Sequence, residues 1–236
     1  MTKEALHTVV GSTVATDKAK KIKREAAVAT SPTIPAKALK SLVSVSVLEH
    51  KTGVTSIFSG FAASMPIADG KSVQVIVCPA THNIIAGEES ANLFSASVNI
   101  ALDNGFRVVP LKFFKQWTYS IGKFTDTCTA FLFEGGGLKM FKAPLTHATP
   151  ARTVAQGLIY SPHTTNTSGG QFIVDAEGFL IHQIGTKPGD SGSFVWSTVL
   201  TEARTAITVP VGVHVGNRGA NLAVPVGVVF RDVNFL

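Results

Sequence analysis

The sequence predicts an all-β protein, two antiparallel β-barrels of about six strands each, preceded by a flexible basic arm. Three observations point there. Apolar residues recur at period 2 or in short runs from Leu42 to the end of the chain. Turn signals separate those runs. Gly 21 and Pro 11, with many Val, Thr and Ser residues, favour strands and turns over helices.

Residues 1–38 read as the arm. Lys18, Lys20, Lys21, Lys23 and Arg24 crowd a segment rich in Ala and Thr that ends at Ser31-Pro32-Thr33-Ile34-Pro35. Few large apolar groups are available there to offset the entropy of ordering. Much of the formal net charge of +6 sits in this arm. It can touch RNA or an acidic membrane weakly, because Lys and Arg attract phosphate without a defined shape, although a solvated linker is the plainer reading. No apolar run approaches the roughly 18 residues that span a bilayer, and Met1-Thr2-Lys3-Glu4 lacks the apolar core of a secretory signal. The expectation is a chain neither anchored nor exported by its own sequence.

Residues 39–134 form the first predicted barrel. Ser41–Leu48 and Ser72–Val77 alternate, and Thr125–Phe133 is a third strand; Ala68-Asp69-Gly70 and Asp103-Asn104-Gly105 are turns. Gly135-Gly136-Gly137 opens a connection over residues 135–150. The second barrel, 151–236, has strands at Gln171–Val174, Gly178–His182, Ser193–Val199, Ala206–Val215 and Asn221–Phe230. Its turns are at Ser168-Gly169-Gly170 and Asp175-Ala176-Glu177-Gly178. The two cysteines, Cys78 and Cys128, read as core thiols of a protein in a reducing, intracellular compartment, with a bridge between them as the alternative, since each lies close in sequence to a candidate site residue.

The strongest chemical signal is Thr186-Lys187-Pro188-Gly189-Asp190-Ser191-Gly192-Ser193, followed by the apolar strand Phe194-Val195-Trp196. A nucleophilic serine needs its hydroxyl on a tight turn whose backbone N–H groups face the developing oxyanion. Glycines at 189 and 192 permit such a turn. The N–H groups of Gly189 and Ser191 are the candidate oxyanion hole. Serine is weak at neutral pH, so an imidazole must take its proton. Of the seven histidines, His82 lies upstream of the serine at the exit of the run Val75–Cys78. A carboxylate must then orient the imidazole. Asp103 is followed by Asn104-Gly105 and suits a turn cap, whereas Asp126 opens a strand, so Asp126 is the choice. This chemistry calls for no metal or cofactor.

The order His82, Asp126, Ser191 resembles that of chymotrypsin-like serine proteases. The segment from Thr186 to Gly192 is similar to the Thr-Arg-x-Gly-x-Ser-Gly pattern of sobemovirus proteases, and more broadly to astrovirus and arterivirus polyprotein proteases. The resemblance spans about residues 42–230 and implies two chymotrypsin-like barrels, a serine endopeptidase activity, a viral polyprotein as substrate and the host cytoplasm as its place of work. Val211-Gly212-Val213-His214-Val215-Gly216 looks like the Gly-Ile-His-Val-Gly segment of viral main proteases. That likeness implies His214 as the floor of a specificity pocket, Thr186 as a second hydrogen-bond donor, and Asn221 or Asn217 as a third contact. Such a pocket suits Glu, with Gln second, before the scissile bond and small residues after it. Trypsin-like enzymes carry an acidic residue six positions before the serine; Gly185 stands there, against a basic specificity. In secreted relatives the residue matching Asp190 pairs with a new N-terminus beginning Ile-Val. No Ile-Val-Gly-Gly occurs here, so activity is expected without such cleavage. The alternative reading is a capsid-type RNA-binding protein that uses this fold to cleave itself once, although Asp232–Leu236 offers no Glu or Gln to the pocket.

Overall fold

Strands that pair into a closed ring lose both edges and bury one face, so alternating Val and Ser suffices to specify them. The computed structural model describes residues 31–82, 84, 90–145 and 154–236. In the first barrel the strands are β1 (Leu42–Glu49), β2 (Thr55–Pro66), β3 (Ser72–Cys78), β4 (Phe94–Leu102), β5 (Gly105–Ile121) and β6 (Phe124–Leu132). The second holds β7 (Ala155–Ser161), β8 (Asn166–Val174), β9 (Leu180–His182), β10 (Phe194–Leu200), β11 (Ala206–Asn217) and β12 (Asn221–Pro225). Both close antiparallel. The first runs β1-β2-β3-β6-β5-β4, and the second, taken from β7, runs β7-β8-β9-β12-β11-β10, the same order. This is the chymotrypsin-like double barrel.

Each barrel has its own interior. Val45, Ile76, Val98 and Phe131 fill the first; Ile159, Phe172, Leu180, Val195 and Val211 fill the second. A third cluster lies between them, around Phe61 of β2. Phe141, Phe194, Phe230 and Phe235 all place ring centroids between 5.1 and 5.8 Å from it. Truncating such a buried aromatic costs about 3–5 kcal/mol. This seam holds the rims of the barrels together, and the candidate site lies across it.

Several sequence expectations shift. Ile34 is buried and Ala36–Leu39 forms a helical turn, so the last part of the expected arm packs into the apolar cluster around Phe61; residues 1–30 lie outside the described residues. Ser168-Gly169-Gly170 is not a turn but the middle of β8, where Gly170 passes so close to Gln183 that a Cβ would meet its carbonyl oxygen at 2.8 Å. The expected strand Asn221–Phe230 stops at Pro225. Val226–Val229 is a helical turn whose Val229 carbonyl accepts a hydrogen bond from Trp117 Nε1 at 2.8 Å. In the connection, Phe141 is buried and its N–H donates to the Ala62 carbonyl, 2.7 Å; residues 146–150 lie outside the described residues. At the other end, the Leu236 N–H donates to the Ser64 carbonyl at 2.8 Å. No helix among the described residues is long and apolar enough to cross a membrane.

Candidate active site

His82 follows β3 by four residues, after Pro79-Ala80-Thr81. The loop is fastened to β6, since the Thr81 N–H donates to the Thr127 carbonyl at 3.0 Å and Thr81 Oγ1 lies 2.9 Å from Thr129 Oγ1. A second tether is the buried Tyr119 hydroxyl, donating to the Pro79 carbonyl at 2.8 Å. Burial, reinforced by the nearby Asp126 and Cys128, pushes the Tyr119 phenol far up, so it remains a donor. His82 itself has φ 44, a left-handed conformation that a non-glycine residue adopts at a cost. Asp126 stabilises it. One carboxylate oxygen accepts the His82 backbone N–H at 3.0 Å and the Thr127 N–H at 2.7 Å; the other lies 2.8 Å from His82 Nδ1. Asp126 is buried, while the His82 side chain is 42% exposed, so the ring is gripped from below and open above. The far nitrogen, His82 Nε2, lies 2.9 Å from Ser191 Oγ. The three residues selected from sequence therefore stand in one hydrogen-bond chain across the seam. Asp126 is the third residue of β6, opposite Tyr119, rather than its first.

Ser191 is held by bonds from both barrels. The Ser59 N–H of β2 donates to the Ser191 carbonyl at 2.8 Å, and the Gly192 N–H donates to the His214 carbonyl at 2.8 Å. Gly189 and Gly192 have φ of 98 and 92, the region open to glycine. At Gly192 a Cβ would also stand 2.2 Å from the Ser59 carbonyl oxygen, so the two barrels touch at this residue. The Gly189 carbonyl accepts Ser59 Oγ at 2.8 Å, which fixes the orientation of the turn. No described residue accepts a hydrogen bond from the N–H of Gly189 or Ser191.

Asp190 is fully buried. Its carboxylate accepts the Ser161 hydroxyl and the Lys187 N–H, the latter at 2.7 Å, and His163 Nδ1 stands 3.7 Å away. Ser161 and His163 belong to the end of β7 and the turn after it. Nothing in their spacing from Ser191 marks them in the sequence.

Of the proposed pocket residues, His214 and Asn217 lie on β11, Asn221 on β12, and Thr186 in the segment that follows β9. Thr186 Oγ1 donates to Asn221 Oδ1 at 3.3 Å, and Asn217 Nδ2 donates to the same oxygen at 3.1 Å. His214 meets neither directly; it joins them through His182, which pairs with Asn221 in register. His182 Nε2 lies 3.0 Å from His214 Nδ1, with both rings buried. The Ile184 N–H points at His182 Nδ1, 3.3 Å. An amide can only donate, so His182 carries its proton on Nε2 and passes that hydrogen bond to His214 Nδ1. His214 then keeps its own proton on Nε2. Burial is the main force on both imidazoles. It lowers them from 6.5 to about 4, helped for His182 by His214 and for His214 by His82. Both rings are neutral at neutral pH. His182 lies inside a strand, and nothing in the sequence around it marks the contact with His214.

Cys78 and Cys128 are unbridged and buried, and burial pushes both thiols up. Cys78 pairs with Thr129 in register, so the adjacent Cys128 points to the other face of the sheet. Among the described residues no group of three His, Cys, Asp or Glu side chains is arranged to hold a metal ion.

Comparison with protein-family models and with curated proteins finds no match. Among solved structures the chain is similar to Deg5, at 14% identity over 91% of this chain and 93% of that one, with a TM-score of 0.48.

Proposed function

We propose that this chain is a serine endopeptidase that cleaves polypeptides after Glu, with Gln second, through an acyl-enzyme. One observation carries the reading: Asp126, His82 and Ser191 form a continuous hydrogen-bond chain, with the carboxylate 2.8 Å from one ring nitrogen and the hydroxyl 2.9 Å from the other. Ser191 Oγ attacks the scissile carbonyl as His82 Nε2 takes its proton. Asp126 stabilises the imidazolium and holds the ring in place. The N–H groups of Gly189 and Ser191 receive the oxyanion, where each donor is worth about 3 kcal/mol. His82 then protonates the leaving amine, and water, activated by the same imidazole, releases the acyl group.

The buried partners of Asp190 support activity without a freed N-terminus. Its carboxylate already has the Ser161 hydroxyl and the Lys187 N–H, which occupy the role a terminal ammonium takes elsewhere. Neutral, buried His214 supports a side-chain oxygen as the ligand, and the linked Thr186 and Asn221 side chains, whose mutual hydrogen bond a ligand can exchange, suit Glu or Gln. The likeness of the Thr186–Gly192 and Val211–Gly216 segments to viral proteases supports a viral polyprotein as substrate, and the unbridged thiols support a reducing compartment such as the host cytoplasm.

A fluorophosphonate probe tests the nucleophile. It should label the wild-type protein at Ser191 and leave folded Ser191→Ala unlabelled. A peptide series varying the residue before the bond should give turnover in the order Glu, Gln, then all others. No labelling of the folded protein, or a preference for Lys, Arg or Phe, overturns the proposal.

A further inference from the structure

His82 borders two cavities with different walls, and of the two only the larger is also lined by Ser191. One, of about 260 Å³, is walled by the β11 edge, Val215 to Arg218, together with Phe124 and Asp126. The other, about 570 Å³, also includes Ser191, Gly189 and Pro188 and is walled by the end of β1, the start of β2 and the start of β4. If the chain cleaves as proposed above, the acyl half of the substrate runs along β11, because its side chain enters the pocket floored by His214 on that strand. A polypeptide passes the nucleophile once. The larger cavity includes Ser191 and has no wall on β11, so the leaving half runs out through it, on the side of the first barrel.

The chemistry of that cavity is apolar. Val47, Val54, Ile57, Phe58, Ile84 and Phe94 line it, beside the hydroxyls of Thr55, Ser56 and Thr81. Val54 and Ile57 are 56% and 44% exposed, so large apolar side chains face water next to the nucleophile. Covering such surface stabilises a complex by roughly 25 cal/mol per Å². Ile57 also lies against Gly189, where a Cβ would stand 3.2 Å from Ile57 Cγ2, so this wall abuts the turn that receives the oxyanion. The carboxylate in the lining, Glu49, accepts the Thr52 hydroxyl at 2.6 Å and disfavours a second negative charge.

We propose that this cavity is a leaving-side specificity site that takes a bulky apolar side chain, Leu or Phe, from the first or second residue after the scissile bond. The inference rests on the protease reading, and it departs from the small residues that the sequence suggests at that place. The volume admits such a side chain with its adjoining backbone, where Gly or Ala leaves the apolar wall wet.

The test uses one acyl half ending in Glu, joined either to aminocoumarin or to peptides with Ala, Leu, Phe or Asp in the two positions after the bond. Leu and Phe should raise kcat/KM at least about tenfold over Ala, and Asp should fall below Ala. With the acyl-enzyme formed from the coumarin substrate, added leucinamide or phenylalaninamide should capture more acyl group than glycinamide at equal concentration. In Val54→Lys the ratio of Phe to Ala substrates should drop towards one; this ratio is read within one variant, so a general loss of activity does not disturb it. Coumarin turnover with a flat or Ala-favouring series, or an unchanged ratio in Val54→Lys, overturns the leaving-side site alone. No coumarin turnover by the folded protein overturns both the site and the protease reading.

Discussion

The first barrel and the second share one strand order but bury different things. Among the described residues, the first buries a single titratable carboxylate, Asp126, at its rim, with Thr81 and Thr129 as neutral neighbours. Into the second go Asp190, His182 and His214, each with a partner. A buried polar group is costly unless its hydrogen bonds are made, and a buried charge more so. The first barrel thus behaves as a rigid apolar stand that offers a base at its edge. The second spends folding stability on a polar interior, and that interior shapes both the Ser191 turn and the pocket. Perturbations of the first barrel's rim should strike catalysis cleanly, whereas perturbations inside the second should mix catalysis, specificity and stability.

The sharpest way to expose that contrast is Asp126→Asn. It keeps the shape and removes the charge that orients His82, so kcat should fall by about 10⁴ with folding intact by circular dichroism. Gly192→Ala comes next, because it strikes where the barrels touch. The added methyl meets the Ser59 carbonyl and the backbone is left at φ 92. Turnover should drop at least about 100-fold, and this time the melting temperature should fall by several degrees with it.

A smaller effect is expected inside the second barrel. Ser161→Ala leaves one Asp190 oxygen without its hydroxyl donor, which loosens the Ser191 turn. We expect about a tenfold loss in kcat with KM unchanged, restored by Ser161→Thr, while deletion of residues 1–30 leaves both constants in place. An equal fall in kcat for that deletion would return the Asp190 role to the arm. The mildest test is pH. His182 and His214 have folded values of about 4 against 6.5 when unfolded. Their neutral burial therefore contributes stability above pH 6.5 that is lost as pH falls from 6.5 to about 4. His182→Gln removes one of the two groups, so the difference in melting temperature between pH 7.5 and 4.5 should shrink by a few degrees relative to the wild type.

Two strands of the first barrel were legible where Val alternates with Ser or Gln, although Val75–Cys78 of β3 is buried on both faces. Alternation in Ser41–Leu48 and Ser72–Val77 closely matches β1 and β3. β2 was not legible, because Phe58 to Ala63 are buried on both faces, one against the barrel interior and the other against the seam; small residues such as Ser59 and Gly60 stand where backbones nearly touch. β5 escaped notice for another reason. A bulge between Phe113 and Lys115 shifts the alternation midway. In the site, the turn carrying Ser191 declared itself through its glycines, and His82 through its place after a buried strand. The contribution of Ser161 and His182 did not, since a serine at a strand end and a histidine within a strand have no local mark.

By itself, then, the sequence determined the all-β class, some of its strands and the turn that carries Ser191, because side-chain periodicity and glycine turns are local properties. Only the tertiary structure decided which of those groups meet. The 2.9 Å contact between His82 and Ser191 joins residues 109 positions apart, and the 3.0 Å contact between His182 and His214 joins residues 32 positions apart. Distances of that kind are set by how two closed sheets pack around Phe61, a many-body property that no local pattern encodes.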